Sequence, residues 1–472
     1  MEKIFSESAY DEMLQRLFCR FPSFQKVGAG AYKPGIANME FADQLMGHPH
    51  RRYKVIHVAG TNGKGSVSNM LASVLAASGM KVGLYTSPHI IDFRERIRVV
   101  SSCPGRIEEP SFSLIPKEDV WSFVSRWHET FDHLDLSFFE ITTLMALDWF
   151  ARQEVDLVVL ETGLGGRLDS TNIVTPVLSV ITNIGLDHCD MLGETLPEIA
   201  YEKAGIIKPK VPAVVGESSP ETDAVFERKV LYTNISEAEY AGDRARVMSL
   251  LTFADKVMPS MWDAHEGILA GMDLRGEYQR KNLRTVLASL DVLSSMKVVS
   301  LNDTDTVVAL THTAGRTGFC GRWETLSEDP HVICDIGHNG HGLKYNFAQL
   351  ERMKAEGECG DLIVVYGSVA DKDVDSVISL MPDDAIYVFT QASSKRALAA
   401  EAIREKYLAH CGSEGLVPLE IHCFPSVHDA VAAALSIASE RKEGNPSRRP
   451  LIYIGGSTYV VSEAVVALPS LI

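Results

Sequence analysis

The sequence predicts an α/β protein: a P-loop-containing parallel-sheet domain over residues 1–311, followed by a smaller Rossmann-like α/β domain over residues 312–472. Three observations carry this reading. The chain has 472 residues, more than one compact core accommodates. From Tyr53 to Gly185, continuous apolar runs alternate with helical patterns, as in a parallel sheet covered on both faces. After LTHTAGRTGFCGRWE, a stretch rich in loop formers and read as the linker, the same alternation begins again.

Taken in order, YKVIHVAG reads as a buried strand. SVSNMLASVLAASG reads as a helix, because Val67, Met70, Leu71, Val74 and Leu75 share helical spacing and Gly79 ends it. KVGLYTS is a second strand, and Val99 to Ile115 contains Pro and Gly and reads as a loop or small hairpin. ITTLMALDWFARQ is helical, and VDLVVLET and VLSVITNIG are strands. TDAVFERKVLYTNISEAEYAGDRARVM shows no clean period, and LRGEYQRKNLRTVLASLDVLSSM reads as a loop entering a helix. HVICDIGH, DLIVVYGS, AIYVFTQ and PLIYIGGS are the strands of the second domain, DAVAAALSIASERK is one of its helices, and EGNPSRRP is a short polar loop.

Composition narrows the function. A formal charge of −17 argues against nonspecific binding to nucleic acid or to an anionic membrane surface. It does not argue against a nucleotide, which a few backbone amides and one basic side chain can hold. The cysteines (Cys19, Cys103, Cys189, Cys320, Cys334, Cys359, Cys411, Cys423) are scattered without a CxxC pair, so neither a zinc knuckle nor a disulfide framework is indicated. Reduced thiols and a cytoplasmic location are expected. The first residues, MEKIFSESAYDEM, do not resemble a signal peptide, and no apolar run reaches membrane-spanning length.

The chemistry concentrates at strand ends. HVAGTNGKGSVSNM joins the first strand to the first helix, so amides around Thr61, Asn62, Gly63, Lys64 and Gly65 can face phosphates, with Lys64 as a mobile charge and Ser66 following. The spacing is not the full GxxxxGK[ST], and Gly65 stands where a magnesium-binding hydroxyl is usual. TSPHIIDFRERIRV follows the second strand and crowds Ser87, His89, Arg94, Glu95 and Arg96 into one loop; by itself such a loop is usually a solvated one, and its place beside the first strand's loop favours function. VDLVVLETGLGGRLDSTN ends a buried strand in Glu161, either a paired buried acid or an oxygen ligand for Mg²⁺. SVITNIGLDHCDMLG closes on Asp187 and His188, and EIAYEKAGIIK carries Lys203, which unmodified reads as a surface charge.

In this order GTNGKGS, TSPH, ERIR, ETGLGGRLDSTN, LDH and EKAGI resemble the folylpolyglutamate synthase/dihydrofolate synthase family, within the Mur ligase superfamily of ATP-dependent amide-forming enzymes. The resemblance resumes with GEYQRKN, GRWE and DIGHN and covers most of the chain. It implies a Mur ligase central-type ATPase domain followed by a Mur ligase C-terminal-type domain. It implies addition of L-glutamate to dihydropteroate, to folate (poly)glutamates, or both, through an acyl phosphate. Mg²⁺ is the implied cofactor, with Ser87, Glu161, His188 and, if carbamylated, Lys203 as ligands. Lys64, Glu161, His188 and Lys203 are the implied catalytic group. Asn282, Arg322 and Asp335 are implied to contact the nucleotide, and His338 is a candidate on the second domain. The pterin-bearing substrate is expected near Ser137, Phe138, Phe139 and Glu140 and near Leu168, Asp169 and Ser170, with the two phenylalanines either stacking on a flat ring or packing in the core.

Three features depart from the family pattern. DIGHNGHG carries Gly337 and Gly340 where the pattern reads Asp-x-Ala-His-Asn-Pro, Tyr278 stands where a histidine often precedes the glutamine, and the loop at 99–115 is long. The competing readings are another Mur-type amino-acid ligase, a P-loop nucleotide switch without ligase activity, and a silent binding protein that has lost a metal ligand. The expected partners are ATP, L-glutamate and a dihydropteroate or reduced folate, with no nucleic acid, no membrane and a monomeric state.

Overall fold

The computed structural model describes residues 5–21, 33, 35–102, 112–235, 243–444 and 449–472. The chain divides into two compact units, one of Met1–Asp273 with Gln279–Phe319, the other of Leu274–Tyr278 with Cys320–Ile472. The first unit ends later than residue 311 because the helix Thr313–Thr317 packs within it: Arg316, fully buried, donates from Nε to Ser73 Oγ at 3.0 Å. The segment read as linker is therefore partly structural core.

The first unit is built on eight strands: β1 Lys54–Ala59, β2 Val82–Tyr85, β3 Ile97–Val100, β4 Phe112–Leu114, β5 Leu157–Glu161, β6 Leu178–Ile181, β7 Ala213–Val215 and β8 Leu251–Phe253. Their order is β4-β3-β2-β5-β1-β6-β7-β8. From β2 to β8 every pairing is parallel, while β3 and β4 form an antiparallel edge. The expected loop or hairpin at 99–115 pairs antiparallel at 98–100 with 112–114, and residues 103–111, with Cys103, lie outside the described residues. Central β1 and β5 are apolar and buried almost throughout, as strands covered on both faces must be. The helix Lys64–Ala77, buried from Gly65 to Ala76, covers the sheet beside β1.

The second unit holds β9 Glu324–Glu328, β10 His331–Cys334, β11 Leu362–Tyr366, β12 Ile386–Thr390, β13 Glu420–Phe424 and β14 Leu451–Gly455, in the order β13-β12-β11-β14-β10-β9. All pairings are parallel except β9 with β10. The helix Val427–Gly444 ends at the polar EGNPSRRP loop, of which 445–448 lie outside the described residues. The short segment Leu274–Tyr278 is fastened to this unit by Glu277 N–H to Gln349 Oε1 at 2.8 Å and by Tyr278 Oη to Asp335 Oδ2 at 2.7 Å. Among the described residues no helix is long and apolar enough to cross a membrane, and the described cysteines are free thiols.

Candidate active site

In the first unit the carboxyl ends of β1, β2, β5 and β6 lie side by side, and the motif residues follow directly from them. After β1 the chain turns through Gly60–Gly63 into the helix Lys64–Ala77, whose N-cap, Gly63, is left-handed and offers no side-chain cap. The first-turn amides thus have no side-chain acceptor at the positive end of a helix, an arrangement suited to phosphate. Lys64 Nζ donates to Gly60 O at 3.0 Å and Thr61 O at 3.1 Å, so its charge rests over the same turn.

The loop is held by residues that the motif alone does not reveal. Thr61 N–H donates to Asn183 O at 3.0 Å, its hydroxyl donates to Gly185 O at 3.1 Å, and Gly185 N–H returns a bond to that hydroxyl at 3.0 Å. Asn62 N–H donates to Asn183 Oδ1 at 2.9 Å and Thr182 Oγ1 donates to Asn62 O at 2.5 Å. Thr61 and Asn62 therefore strap the turn to the loop after β6. Ser66 is buried and accepts from Gln279 Nε2 at 3.1 Å; Gln279 Oε1 in turn accepts from Asn282 Nδ2 at 2.8 Å. Asn282 lies against Gly63, where a Cβ would stand 2.3 Å from its Oδ1.

Gly60 is the tightest point. Its φ is +149°, and a Cβ there would lie 1.8 Å from Thr182 Oγ1. Gly60→Ala is expected to break the Thr182–Asn62 strap and weaken ATP binding by about tenfold or more, one lost buried hydrogen bond plus strain. Isothermal titration with ATP checks this; unchanged affinity would dismiss the strap.

The glycine after Lys64 now has a physical reason. A Cβ on Gly65 would meet the Phe319 ring at 3.2 Å and Glu161 Oε2 at 3.8 Å. The space that a side chain would enter is bounded by the Phe319 ring, with the acid at the end of β5 in van der Waals contact beside it. Glu161 is buried, and its Oε2 accepts from Ser87 N–H at 3.2 Å, which brings two of the expected metal ligands together. Its charge also acts on buried Arg96, whose pKa burial lowers and whose neighbours Tyr85 and Glu161 raise. His188 sits at φ 53°, opening the short helix Cys189–Leu192, with Nε2 3.8 Å from Asp187 Oδ2. Lys203, buried on the helix Leu196–Ala204, donates from Nζ to Gly60 O at 2.9 Å, so it and Lys64 share one carbonyl oxygen. Burial, with Lys64 second, pulls the Lys203 amine down to about 7, against the opposing pull of Asp187 and Asp169. Lys203 is not a surface charge.

Among the described residues no three His, Cys, Asp or Glu side chains form a closed metal cage. Magnesium rarely uses one: it takes one or two carboxylates and completes its shell with water and substrate phosphates. A buried carboxylate beside a phosphate loop fits that requirement.

The residues expected near the pterin divide by role. Ser137 and Glu140 form a capping box: Ser137 Oγ accepts from Glu140 N–H at 3.2 Å and Glu140 Oε2 accepts from Ser137 N–H at 2.6 Å, starting the helix Phe138–Arg152. Phe138 is core, stacked on Phe18 at 5.2 Å. Phe139 is half-buried, and its ring stands 2.5 Å from where a Cβ on Gly163 would lie. Asp169 is buried and accepts from Leu164 N–H at 2.8 Å and Thr171 N–H at 3.0 Å; Leu168 and Ser170 flank it, half-buried. Ser137→Ala is expected to cost about 1 kcal/mol of stability through the lost cap, read as a lower Tm; an unchanged Tm would show the cap to be idle.

In the second unit Asp335 is a hub. Its Oδ2 accepts from Tyr278 Oη at 2.7 Å and Trp323 N–H at 2.8 Å, and its Oδ1 from Gly337 N–H at 2.7 Å and Asn346 Nδ2 at 2.9 Å. Two of the family departures, Tyr278 and Gly337, thus meet on one carboxylate, and a Cβ on Gly337 would lie 2.9 Å from Asp335 Oδ1. Arg322 donates to Gly321 O at 3.2 Å, and His338 Nδ1 lies 3.1 Å from Ile336 O.

Known proteins agree with this architecture. Residues 321–443 match the family model described as Mur ligase, glutamate ligase domain, so this segment is of the Mur ligase class. It is 33% identical over 359 residues to the dihydrofolate synthase/folylpolyglutamate synthase of Bacillus subtilis, covering 73% of this chain and 78% of that one. It is 31% identical over 441 residues to a probable bifunctional folylpolyglutamate synthase/dihydropteroate synthase of Haloferax volcanii, covering 92% of this chain but 48% of that protein; the chain spans about half the length of that relative. The crystal structure of Mycobacterium tuberculosis folylpolyglutamate synthase complexed with ADP and AMPPCP superposes with a TM-score of 0.76 at 25% identity over 98% of both chains. The chain belongs to the folylpolyglutamate synthase/dihydrofolate synthase family of ATP-dependent ligases.

Proposed function

We propose that this enzyme joins L-glutamate to the carboxylate of dihydropteroate, of a folate (poly)glutamate, or of both, through an acyl phosphate and with Mg²⁺. The observation that carries the site is the buried Glu161 carboxylate beside the phosphate loop, bonded to the amide of Ser87. The glutamate ligase domain match over 321–443 supports the amino acid, and the nucleotides bound by the M. tuberculosis relative support ATP. A nucleotide switch without ligase activity would have no use for that second unit.

The reaction proceeds in two displacements. An oxygen of the substrate carboxylate bonds to the γ-phosphorus as the bond to ADP breaks. The glutamate amine then bonds to the activated carbonyl carbon, inorganic phosphate leaves, and the nitrogen gives up a proton. The chain's part is positioning and charge neutralisation. Lys64 is free to swing from the carbonyls of Gly60 and Thr61 toward a γ-phosphate, and the first-turn amides of the helix Lys64–Ala77 hold the β-phosphate. Glu161, Ser87 and His188 would hold Mg²⁺, which when bound supplies positive charge to the moving phosphoryl group. Lys203 at about 7 is largely an uncharged amine above neutral pH, the form that adds CO₂, and as a carbamate it would join the metal ligands. Phe139 is the member of its motif left to face a flat ring, beside Leu168 and Ser170. Asn282, Arg322, Asp335 and His338 are assigned to the nucleotide and glutamate sides by resemblance, Asp335 through the loop it organises.

Phosphate release from ATP tests the reading, with Mg²⁺ and L-glutamate, and with dihydropteroate, tetrahydrofolate or neither. Release that needs glutamate and a pterin is expected, and the pattern across the two substrates names the activity. Release indifferent to both pterins would overturn the proposal.

A further inference from the structure

His57 lies in the middle of β1, fully buried, with its neighbours Leu160 on β5 and Ser179 on β6. The phosphate-loop reading makes no use of it. Its Nε2 is 2.8 Å from Thr171 Oγ1, across 114 residues of sequence, and its Nδ1 is buried with no hydrogen-bond partner among the described residues. Thr171 belongs to the turn Ser170–Ile173, and its Oγ1 lies 2.5 Å from Asp169 Oδ1. Asp169 Oδ2 accepts from Leu164 N–H at 2.8 Å, closing the loop that leaves β5.

Proton accounting fixes the direction of this chain. Burial raises the Asp169 pKa, but the Leu164 amide, the Thr171 amide and the Thr171 hydroxyl all donate to it and lower it; both carboxyl oxygens act as acceptors, so the single hydroxyl proton of Thr171 goes to Asp169 Oδ1. The Thr171 oxygen is then left to accept, and His57 must be the donor, protonated at Nε2. The other tautomer would bury an orphaned N–H at Nδ1, which costs more than an unpaired lone pair there. Burial, with Lys208 second, drives the imidazole down to about 3, so it stays neutral throughout the working pH range.

We infer that His57 is a positioning residue: through Thr171 it holds the Leu164–Thr171 loop on the same strand that carries the phosphate loop. It touches no substrate. The inference rests on the proposed function for what the loop serves, since Leu168 and Ser170 flank the position expected for the pterin. Its consequence is that the pterin loop and the phosphate loop keep register through one strand, three residues apart from His57 to Gly60.

Two measurements test it. Kinetics compare Thr171→Val and His57→Leu, which keep volume and delete the donor chain, with His57→Gln, whose amide nitrogen reaches about as far as Nε2. The first two are expected to raise KM for the pterin substrate about tenfold, the worth of one buried hydrogen bond, with KM for ATP within about twofold; His57→Gln recovers most of the loss. A parallel rise in both KM values, or a Gln variant no better than Leu, would reduce His57 to a space filler. The second measurement needs no substrate. ¹⁵N-histidine NMR of the wild-type chain, with His57 assigned by its loss in His57→Gln, is expected to show the neutral Nε2–H tautomer; Nδ1–H overturns the chain. Wild-type protein inactive with every pterin would sink the proposed function instead, while the tautomer still decides the network.

Discussion

Glu161→Gln leaves the fold standing and removes turnover. The carboxylate is buried at the end of β5, its Oε2 accepts from Ser87 N–H at 3.2 Å, and it stands beside Gly65 at the start of the phosphate-loop helix. Glutamine has the same shape, and its carbonyl oxygen can keep the bond to Ser87. What it lacks is the negative charge. A purely structural role would survive the exchange, because glutamine keeps the shape and the bond to the Ser87 amide. A metal-holding role would not, because phosphoryl transfer depends on charge placed at the γ-phosphate, and loss of one such element costs on the order of 10³-fold in kcat. The expected pattern is therefore a Tm within a few degrees of wild type, phosphate release lowered about 10³-fold or more, and a Mg²⁺ requirement shifted to much higher concentration. Near-normal turnover at ordinary Mg²⁺ would remove Glu161 from the metal site.

That so sharp a prediction can start from sequence has a physical reason. LVVLE and LIVVY are buried on both faces, so their apolar runs are continuous and easily read, and a charged residue ending such a run stands out. The strands that sequence does not disclose are those that carry too few residues to show a period, β7 and β8 with three each, or that sit at an edge, as β9 and β13 do with their partial exposure. The domain boundary is obscured for a related reason. THTAGRTG is full of loop formers, yet Arg316 finds its partners on Ser73 and Ser102, far away in sequence.

Within the site, what sequence discloses is position, and what it hides is use. Thr61 and Asn62 sit in the turn between β1 and the helix that follows it, but their hydrogen bonds run to Thr182, Asn183 and Gly185, and nothing local marks those partners. Ser137-Phe-Phe-Glu140 carries the S-x-x-E pattern of a capping box in plain view, and the structure uses it so. Lys203 shows the opposite case: a lysine in a short helical segment looks like a surface charge until the fold brings Gly60 and Lys64 to it.

Lys203→Ala is expected to lose most activity and to regain part of it with formate or acetate, whereas Lys203→Met loses it without rescue. The amine is buried, makes its hydrogen bond to the Gly60 carbonyl, and has no carboxylate within ion-pair distance among the described residues. A permanent cation there is costly, and the fold lowers its pKa from 10.5 to about 7. The sign follows directly. Between pH 7 and 10.5 the unfolded lysine binds a proton that the folded one lacks, so stability rises with pH across that window, and the penalty is full below about pH 7. Carbamylation removes the penalty by turning the cation into an anion, and the neutral amine it requires is scarce below pH 7. Enzyme stripped of CO₂ is therefore expected to regain activity with bicarbonate faster at pH 8 than at pH 6, and Lys203→Ala to ignore bicarbonate. If Lys203 acts only as an amine, bicarbonate changes nothing and small carboxylates rescue nothing, since neither replaces a donor to Gly60. If it acts as a carbamate, the void left by alanine takes a short carboxylate that would join Glu161 in holding Mg²⁺, and rescue tracks the Mg²⁺ concentration. ¹³C NMR after incubation with labelled bicarbonate separates the two without reference to activity: a carbamate signal in wild type that is absent from Lys203→Ala is the expected result.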